Sequence, residues 1–254
     1  MELAGKTAIV TGSAVGVGRA TALELARRGA NVVINYSRSE DDAKEAVAQV
    51  EAIGAKALLV RADVSDDAAV RSMVQQAVQT FGSVDVLVNN AATTAFVNFA
   101  DLEGMKEEYW DRILAVNLKG AFFCCRAVAG PMRAAGRGAI VNIASIAGIR
   151  AVGSSIAYAA SKAALINMTV ALARVLAPEV RVNAVAPGFI DTRWLRDGLG
   201  AAYEPVKQQT AERTPLKRVA SPEDVAQAVL SLIAGADFVT GQTVVVDGGS
   251  ALQF

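Results

Sequence analysis

The chain has 254 residues, of which 53% are hydrophobic and 20% charged, and its 25 basic residues equal its 25 acidic residues in number. This composition is typical of a globular protein, and the charge balance argues against a nucleic-acid or strongly acidic partner. The absence of histidine excludes histidine-based triads and histidine-ligated metal sites. We therefore expect no metal site, and acid–base chemistry must use tyrosine, lysine, cysteine or carboxylate groups.

The two cysteines, Cys124 and Cys125, are adjacent and cannot form a disulfide framework, which fits a reducing cytoplasm. The first residues lead almost directly into a strand pattern rather than a signal peptide. No uncharged apolar run approaches the roughly 18 residues of a membrane span. We expect a cytoplasmic protein with no membrane partner.

Strand-like and helix-like segments alternate along the chain. In chain order the pattern predicts a strand at Lys6–Thr11, a helix at Val17–Arg28, a strand at Asn31–Tyr36, a helix at Ser39–Ile53, a strand at Lys56–Arg61, a helix at Ala68–Phe81, a strand at Val84–Asn89, a long helix from about Glu107 to Ala135 that is broken or ended near Gly130-Pro131, a strand at Ala139–Ile143, a helix at Ser155–Leu176, a strand at Arg181–Ala186, a helix from Ser221 to about Ala234, and a strand at Thr243–Asp247. Apolar strands separated by helices predict a doubly wound, mostly parallel seven-stranded α/β sheet of the Rossmann type, with helices on both faces and a single domain over residues 1–254.

Three glycines follow the first predicted strand. The segment 11–18 reads TGSAVGVG and places Gly12, Gly16 and Gly18 between that strand and the first helix. Glycines let the backbone turn tightly and approach a pyrophosphate, and the helix N-terminus supplies free N–H groups. The spacing differs from the usual Gly-x-Gly-x-x-Gly fingerprint, so a tight turn without a ligand is the alternative.

Tyr158 and Lys162 are four residues apart in the predicted helix Ser155–Leu176 and therefore share one face. A cation about 4 Å from the phenol would lower its pKa from about 10 to roughly 7, where it can exchange a proton at neutral pH. Ser145 lies just past the fifth strand, at the edge where doubly wound sheets bind ligands. The alternatives are a surface Tyr–Lys pair and a loop-capping serine.

These residues resemble the short-chain dehydrogenase/reductase family, and the resemblance covers essentially the whole chain. It rests on TGSAVGVG at 11–18, Asp63-Val64, NNAA at 89–92, Asn117, Ser145, the Tyr158-x-x-x-Lys162 pair, and Pro187-Gly188 followed by Thr192. Within the family the chain is similar to 3-oxoacyl-carrier-protein reductases and to bacterial sugar or alcohol dehydrogenases. The family usually has glycine where this chain has Ala92, whose methyl group lies near the cofactor ribose in the family pattern and removes no catalytic group.

The resemblance implies an NAD(P)-dependent oxidoreductase that moves a hydride between nicotinamide and a ketone or secondary alcohol. It makes Tyr158 the general acid or base, Ser145 a hydrogen-bonding partner of the substrate oxygen, Lys162 the group that tunes Tyr158 and binds the nicotinamide ribose, and Asn117 the holder of a relay water. The further cofactor-binding residues that it implies are Gly12, Ser13, Gly16, Val17 and Gly18 at the pyrophosphate, Asp63 and Val64 at the adenine, Asn89 and Ala91 in the cleft, and Pro187, Gly188, Ile190 and Thr192 at the nicotinamide.

The end of the second predicted strand bears on the choice between NAD and NADP. Enzymes that prefer NAD usually place a carboxylate there to bond the ribose 2′-hydroxyl. Here the segment reads Asn35-Tyr36-Ser37-Arg38, with no acid before Glu40. Ser37 can donate a hydrogen bond to a 2′-phosphate and Arg38 can clamp it, so we expect NADP(H), with NAD(H) used more weakly. The alternative for Arg38 is an exposed turn residue.

The stretch from Gly188 to about Leu216 is too long for an ordinary connection and is predicted to be an irregular substrate lid. It carries the apolar side chains Phe189, Trp194, Leu195, Leu199 and Tyr203, with Phe96 and Phe99 on the opposite side. These suit a moderately hydrophobic ketone or alcohol as the small-molecule substrate. The alternative is that the aromatic side chains pack on a neighbouring subunit.

Carrier-protein reductases usually offer basic residues near the end of the catalytic helix. Residues 174–179 read RVLAPE, with one base and one acid, which counts against docking an acidic carrier. Two other interpretations stand beside the reductase. One is an NAD-preferring alcohol or polyol dehydrogenase, and the other is a catalytically idle NAD(P)-binding module, which would have no need of Asn117, Ser145, Tyr158 and Lys162 together.

Two predicted helices are apolar on nearly all sides, Ser155–Leu176 and the part of the long helix around Tyr109–Val128. Such helices must be covered on more than the face that packs on the sheet. We therefore expect a homo-oligomer built on these two helices, and the resemblance suggests a tetramer. The alternative is burial inside a large monomer.

Overall fold

A computed structural model describes residues Met1–Leu252 and places seven strands in one parallel sheet. The strands are β1 (Thr7–Val10), β2 (Asn31–Tyr36), β3 (Ala57–Arg61), β4 (Val86–Asn89), β5 (Gly138–Ile143), β6 (Val180–Pro187) and β7 (Thr243–Val246). Their order across the sheet is β3-β2-β1-β4-β5-β6-β7, and each neighbouring pair is parallel. The predicted Rossmann-type sheet of seven strands is confirmed. Its order reverses between β1 and β4, which is where doubly wound sheets form a ligand crevice.

Helices connect the strands and cover both faces of the sheet. They are α1 (Gly16–Arg27), α2 (Glu40–Ala52), α3 (Asp67–Phe81), α4 (Glu107–Leu114), α5 (Ala121–Ala134), α6 (Ala147–Arg150), α7 (Ile156–Leu176), α8 (Arg193–Leu199), α9 (Tyr203–Arg213) and α10 (Pro222–Leu230). Alternate residues of a strand point to opposite faces, so Val10 belongs to the apolar core that contains α1 and α10, and Ile9 to the core that contains α3 and α5. Burial on both faces explains why the strands are continuous apolar runs.

The long helix predicted from Glu107 to Ala135 is interrupted at a different place from the one expected. Pro131 lies inside α5, which continues to Ala134, so the expected break near Gly130-Pro131 is wrong. The irregularity is instead a π-helical turn at Ala115–Gly120, between α4 and α5. π turns commonly occur at functional positions, and this one contains Asn117, whose side chain is bonded to the loop after β4.

The segment from Gly188 to Leu216 is largely helical, so the expectation of an irregular stretch is wrong. It contains α8 and α9, joined by a short 3₁₀ turn at Gly200–Ala202. Thr192 caps α8 by accepting a hydrogen bond from the Leu195 backbone N–H. Glycines and a proline in and around these short helices mask their periodicity in the sequence, since both residue types disfavour helix interiors.

Two helical runs, 107–134 and 156–176, are long and apolar enough to cross a membrane by length and composition alone. In this fold each packs against the sheet and the two pack against each other. About 44% of the most apolar window of each run is buried in the chain. Core helices of globular proteins share these features, and the remaining surface of both helices is left for other contacts.

Candidate active site

A cavity of about 1180 Å³ lies at the carboxyl ends of the central strands. Most of the residues that the family resemblance assigns to the cofactor or to catalysis line it. At the phosphate and adenosine end these are Gly12, Gly16, Val17, Ser37, Arg38, Asp63 and Val64. At the opposite end they are Ala91, Ser145, Tyr158, Lys162, Pro187, Gly188, Ile190 and Thr192. The fold therefore brings together groups that are up to 180 positions apart in the chain.

The glycine loop has the conformation that its residues predict. Gly12 and Gly16 adopt φ angles of 61° and 56°, which residues with a side chain rarely adopt. A Cβ on Gly12 would lie 3.0 Å from the Ala91 Cα, so the loop and the end of β4 are packed backbone to backbone. α1 begins without a side-chain cap. The first N–H groups of α1 thus lie at the cavity wall, as an anion-binding helix N-terminus requires.

Gly18 does not line the cavity but holds the loop in shape. A Cβ at this position would lie 2.5 Å from both the Gly12 carbonyl oxygen and the Asn90 Nδ2. Any side chain there would displace the loop, which explains why a glycine is needed one turn into α1. The role of Gly18 toward a pyrophosphate is therefore indirect.

Ser13 and Asn89 are buried and do not line the cavity, so their expected contact with a cofactor stays a prediction. The buried Ser13 hydroxyl donates to the Val10 carbonyl at 2.8 Å and accepts from the Asn35 N–H at 3.0 Å. The Asn89 amide donates to the Asn142 Oδ1 at 2.9 Å between β4 and β5. Asn89 is the last residue of β4, where the side chain alternates away from the cleft.

Two asparagines that sequence reasoning did not single out hold the loop at the cavity. The Asn90 Nδ2 donates to the carbonyl oxygens of Thr11 and Gly12 at 2.9 and 3.0 Å. The Asn35 Oδ1 accepts from the Gly12 N–H at 3.1 Å. In sequence, Asn90 is visible as the second asparagine of the NNAA segment, whereas nothing in the local pattern of β2 indicates the role of Asn35.

At the adenosine end, Asp63 is already paired within the protein. Its carboxylate accepts hydrogen bonds from the Ser65 hydroxyl and N–H at 2.6 and 2.9 Å, and from Arg112 at 3.0 Å. Asp63 also lines the cavity, so one edge of the carboxylate is fixed while the residue borders the space for an adenine. Arg112 thus has a positioning role that the sequence did not suggest.

The catalytic candidates converge at the other end of the cavity. Ser155 caps α7 by accepting from the Tyr158 N–H, which fixes the first turn that carries the phenol. The Tyr158 hydroxyl lies beside the Ser145 hydroxyl, which lowers the pKa of the phenol. Lys162, which is buried, donates to the Ile143 carbonyl at 2.6 Å, and its Nζ lies 5.7 Å from the Tyr158 ring centroid.

Asn117 lies near these catalytic candidates, and its side chain connects the π turn, the loop after β4 and α7 by hydrogen bonds. Its Oδ1 accepts from the Thr93 N–H at 2.8 Å, and its Nδ2 donates to the Thr93 carbonyl and the Ser161 hydroxyl, each at 3.0 Å. Both amide hydrogens are therefore used by protein groups. A relay water at Asn117 would have to bond to the second lone pair of Oδ1 or to the main chain of the π turn.

The expected pKa of roughly 7 for Tyr158 does not hold in the cofactor-free protein. Burial raises the pKa of Tyr158 to about 12, and the hydrogen bond with Ser145 opposes this only in part. Burial also lowers the pKa of Lys162 to about 8. The i, i+4 spacing places the two residues on one face, but the Lys162 ammonium is directed at the Ile143 carbonyl rather than at the phenol oxygen.

The profile of a family described as enoyl-(acyl carrier protein) reductase matches residues 12–251. Ketoacyl reductase 2 of the granaticin polyketide synthase of Streptomyces violaceoruber is 43% identical over 245 residues, which is 96% of each chain. The 3-oxoacyl-(acyl-carrier-protein) reductase FabG of Staphylococcus epidermidis is 42% identical over 246 residues, 96% of this chain and 98% of the relative.

A solved structure described as a short-chain dehydrogenase/reductase from Burkholderia xenovorans superposes with a TM-score of 0.91 at 35% identity, covering 98% of both chains. The likeness therefore extends over the sheet, the glycine loop and the catalytic helix together. The family resemblance found in the sequence is confirmed. The chain belongs to the short-chain dehydrogenase/reductase family and is an NAD(P)-dependent oxidoreductase acting on carbonyl and hydroxyl groups.

Proposed function

We propose that the protein is an NADP(H)-dependent ketoreductase in which Tyr158 exchanges the proton with the substrate oxygen. The Tyr158 and Ser145 hydroxyls, which lie beside each other in the cavity, carry this proposal. The nicotinamide supplies the hydride when bound. Similarity to reductases over nearly the whole chain sets aside the interpretation as an idle NAD(P)-binding module.

Each residue at this site has a separate role in carbonyl reduction. Ser145 and Tyr158 both present a hydroxyl to a substrate oxygen, so negative charge that develops there is stabilised by two donors. Tyr158 is protonated at neutral pH, because its pKa is raised to about 12, and it can therefore deliver the proton. Lys162 holds a positive charge close to the phenol and favours the phenolate left behind. Pro187, Gly188, Ile190 and Thr192 would hold the nicotinamide against this group.

The proposal is tested by following nicotinamide absorbance at 340 nm with NADPH and with NADH, against a panel of ketones and 3-oxoacyl thioesters. We expect consumption of NADPH that depends on both enzyme and ketone. Saturable NADPH binding without turnover of any carbonyl in the panel would contradict it.

The raised pKa of Tyr158 predicts opposite pH profiles for the two directions of the reaction. Reduction needs the phenol, which is present throughout the neutral range. Oxidation of the alcohol needs the phenolate, whose fraction grows tenfold per pH unit below the pKa. We expect kcat/KM for alcohol oxidation to rise with pH between about pH 6 and pH 9, and kcat/KM for ketone reduction not to rise. A reduction rate that climbs with pH in parallel with oxidation would be incompatible with Tyr158 as the acid.

The surroundings of Arg38 support the preference for NADP(H) over NAD(H). Arg38 is exposed, lines the cavity, and forms no salt bridge with any residue between Met1 and Leu252. Two of the three carboxylates that follow Arg38 are paired, Glu40 with Lys44 at 2.8 Å and Asp42 with Arg193 at 2.7 Å. A 2′-phosphate would thus meet a free guanidinium at Arg38.

We propose that the protein lies in the reducing cytoplasm, where its two cysteines, which are free and buried, would stay reduced. We also propose a homotetramer built on α5 and α7. α5 exposes 39% of Phe122, and α7 exposes Ala160, Ala163 and Ala171. Light scattering should give four times the 26.3 kDa chain mass. Ala171→Glu, which places a charge on the exposed face of α7, should lower this mass, whereas Ala52→Glu on α2 should not. A stable monomer at micromolar concentration would refute the assembly.

A further inference from the structure

Trp194 stands beside the catalytic tyrosine. Its ring centroid lies 6.0 Å from that of Tyr158 and 6.2 Å from that of Phe96, with interplanar angles of 49° and 58°. Both distances fall within the range of favourable aromatic contacts. The three side chains, Phe96, Trp194 and Tyr158, form a continuous surface that we term the aromatic wall.

Gly198 fixes how α8 meets the aromatic wall. It lies one turn after Trp194 on the same side of the helix, and a Cβ on Gly198 would overlap the Phe96 ring. α8 has no buried residue of its own. Its position over the cavity is set by the contact of Gly198 with Phe96, by that of Trp194 with Tyr158 and by the ion pair of Arg193 with Asp42.

The aromatic wall is partly exposed. Trp194 and Phe96 are 42% and 40% exposed, and both line the cavity. Large apolar side chains exposed together in a concave site are typical of surfaces that a ligand covers. Flat rings gain most on such a surface, because aromatic pairs are stabilised beyond the apolar area that they bury.

We propose that the aromatic wall makes this enzyme selective for ketones whose carbonyl carries a flat aromatic or conjugated ring. Trp194 is the specificity-determining residue, because its ring packs against both Phe96 and the catalytic Tyr158. This inference rests on the proposed ketoreductase function and names its substrate class.

Acetophenone and cyclohexyl methyl ketone test the inference, because they have the same carbon skeleton and differ in the flatness of the ring. Intrinsic reactivity cancels when the ratio of their kcat/KM values is compared between variants. We expect Trp194→Leu to lower the aryl-to-cyclohexyl ratio about 3- to 10-fold, the gain that an aromatic pair provides. Trp194→Phe should restore most of the ratio. Phe238→Leu, which changes a fully exposed aromatic residue far along the chain, should leave it unchanged. An unchanged ratio in Trp194→Leu would overturn the inference while carbonyl turnover itself upheld the proposed function.

A binding measurement keeps the inference testable without turnover. The chain has two tryptophans, so in a Trp110→Phe background Trp194 alone fluoresces. We expect a saturable fluorescence change with 1-phenylethanol and at least about 3-fold weaker binding of 1-cyclohexylethanol. Equal affinities for the two alcohols would contradict the inference, whatever the kinetic result.

Discussion

Tyr158→Phe should lower kcat for ketone reduction at least 100-fold while leaving the affinity for NADPH within about 2-fold of wild type. The substitution removes only the hydroxyl beside Ser145 and leaves the ring in contact with Trp194. The loss must therefore reflect the missing proton donor rather than a change in the shape of the site. Steady-state kinetics at 340 nm and a fluorescence titration with NADPH measure the two quantities separately.

Tyr109→Phe is the matched control, because Tyr109 is a partly exposed residue of α4 outside the cavity. It should retain full activity. More than about a tenth of wild-type kcat in Tyr158→Phe would mean that another group, or water, delivers the proton. The melting temperature of Tyr158→Phe should not fall, since the variant removes a buried hydroxyl without opening a cavity.

Arg38→Ala should weaken NADPH binding about 10- to 100-fold and change NADH binding little. A guanidinium–phosphate contact is present only with NADPH, because NADH carries a hydroxyl at the same ribose position. The expected result is a fall in the ratio of kcat/KM for NADPH to that for NADH. The wild type should favour NADPH in the same measurement.

Arg28→Ala provides the control for this experiment, since Arg28 is exposed at the far end of α1 from the glycine loop. Its cofactor ratio should match the wild type. Equal or better use of NADH by the wild type would contradict the proposed preference for NADPH. It would favour the alternative of an NAD-dependent alcohol dehydrogenase. An unchanged ratio in Arg38→Ala alone would show that the preference has another source. Arg19 cannot be that source in the present arrangement, because its guanidinium is held by the Ala14 and Asp42 carbonyls.

The strands were predictable because they are buried on both faces, so each appears in the sequence as an apolar run. β1 and β4, for example, are buried at every position. The convergence of Ser145, Tyr158 and Lys162 was predictable for a related reason. The carboxyl ends of parallel strands and the helix that follows them meet at one edge of the sheet.

What the sequence did not reveal depends on contacts between distant positions. Gly12 is held by Asn35 and Asn90, which are 23 and 78 positions away, and no local pattern encodes those bonds. The pKa of Tyr158 also depends on contacts between distant positions. Its spacing from Lys162 is local, but its burial depends on how the lid helix α8 and the loop after β5 enclose it.

In the long helix predicted from Glu107 to Ala135, tertiary contacts override the local rule that proline breaks a helix. Proline usually ends or kinks a helix, yet Pro131 lies inside α5, in its last turn. The interruption occurs instead at Ala115–Gly120, where the Asn117 side chain bonds to Thr93. A sequence-based rule for helix breaks cannot anticipate a bond to a loop that is 24 positions away.

The central claim is that this chain reduces a ketone by direct hydride transfer from the nicotinamide, with Tyr158 supplying the proton. The most direct test uses NADPH deuterated at C4 on one face or the other, with acetophenone as substrate and mass spectrometry of the alcohol. The account predicts one deuterium on the carbinol carbon from one of the two labelled cofactors, and almost no labelled product from Tyr158→Phe. Alcohol formed by the wild type without deuterium from either cofactor, or labelled alcohol formed equally fast by Tyr158→Phe, would contradict it.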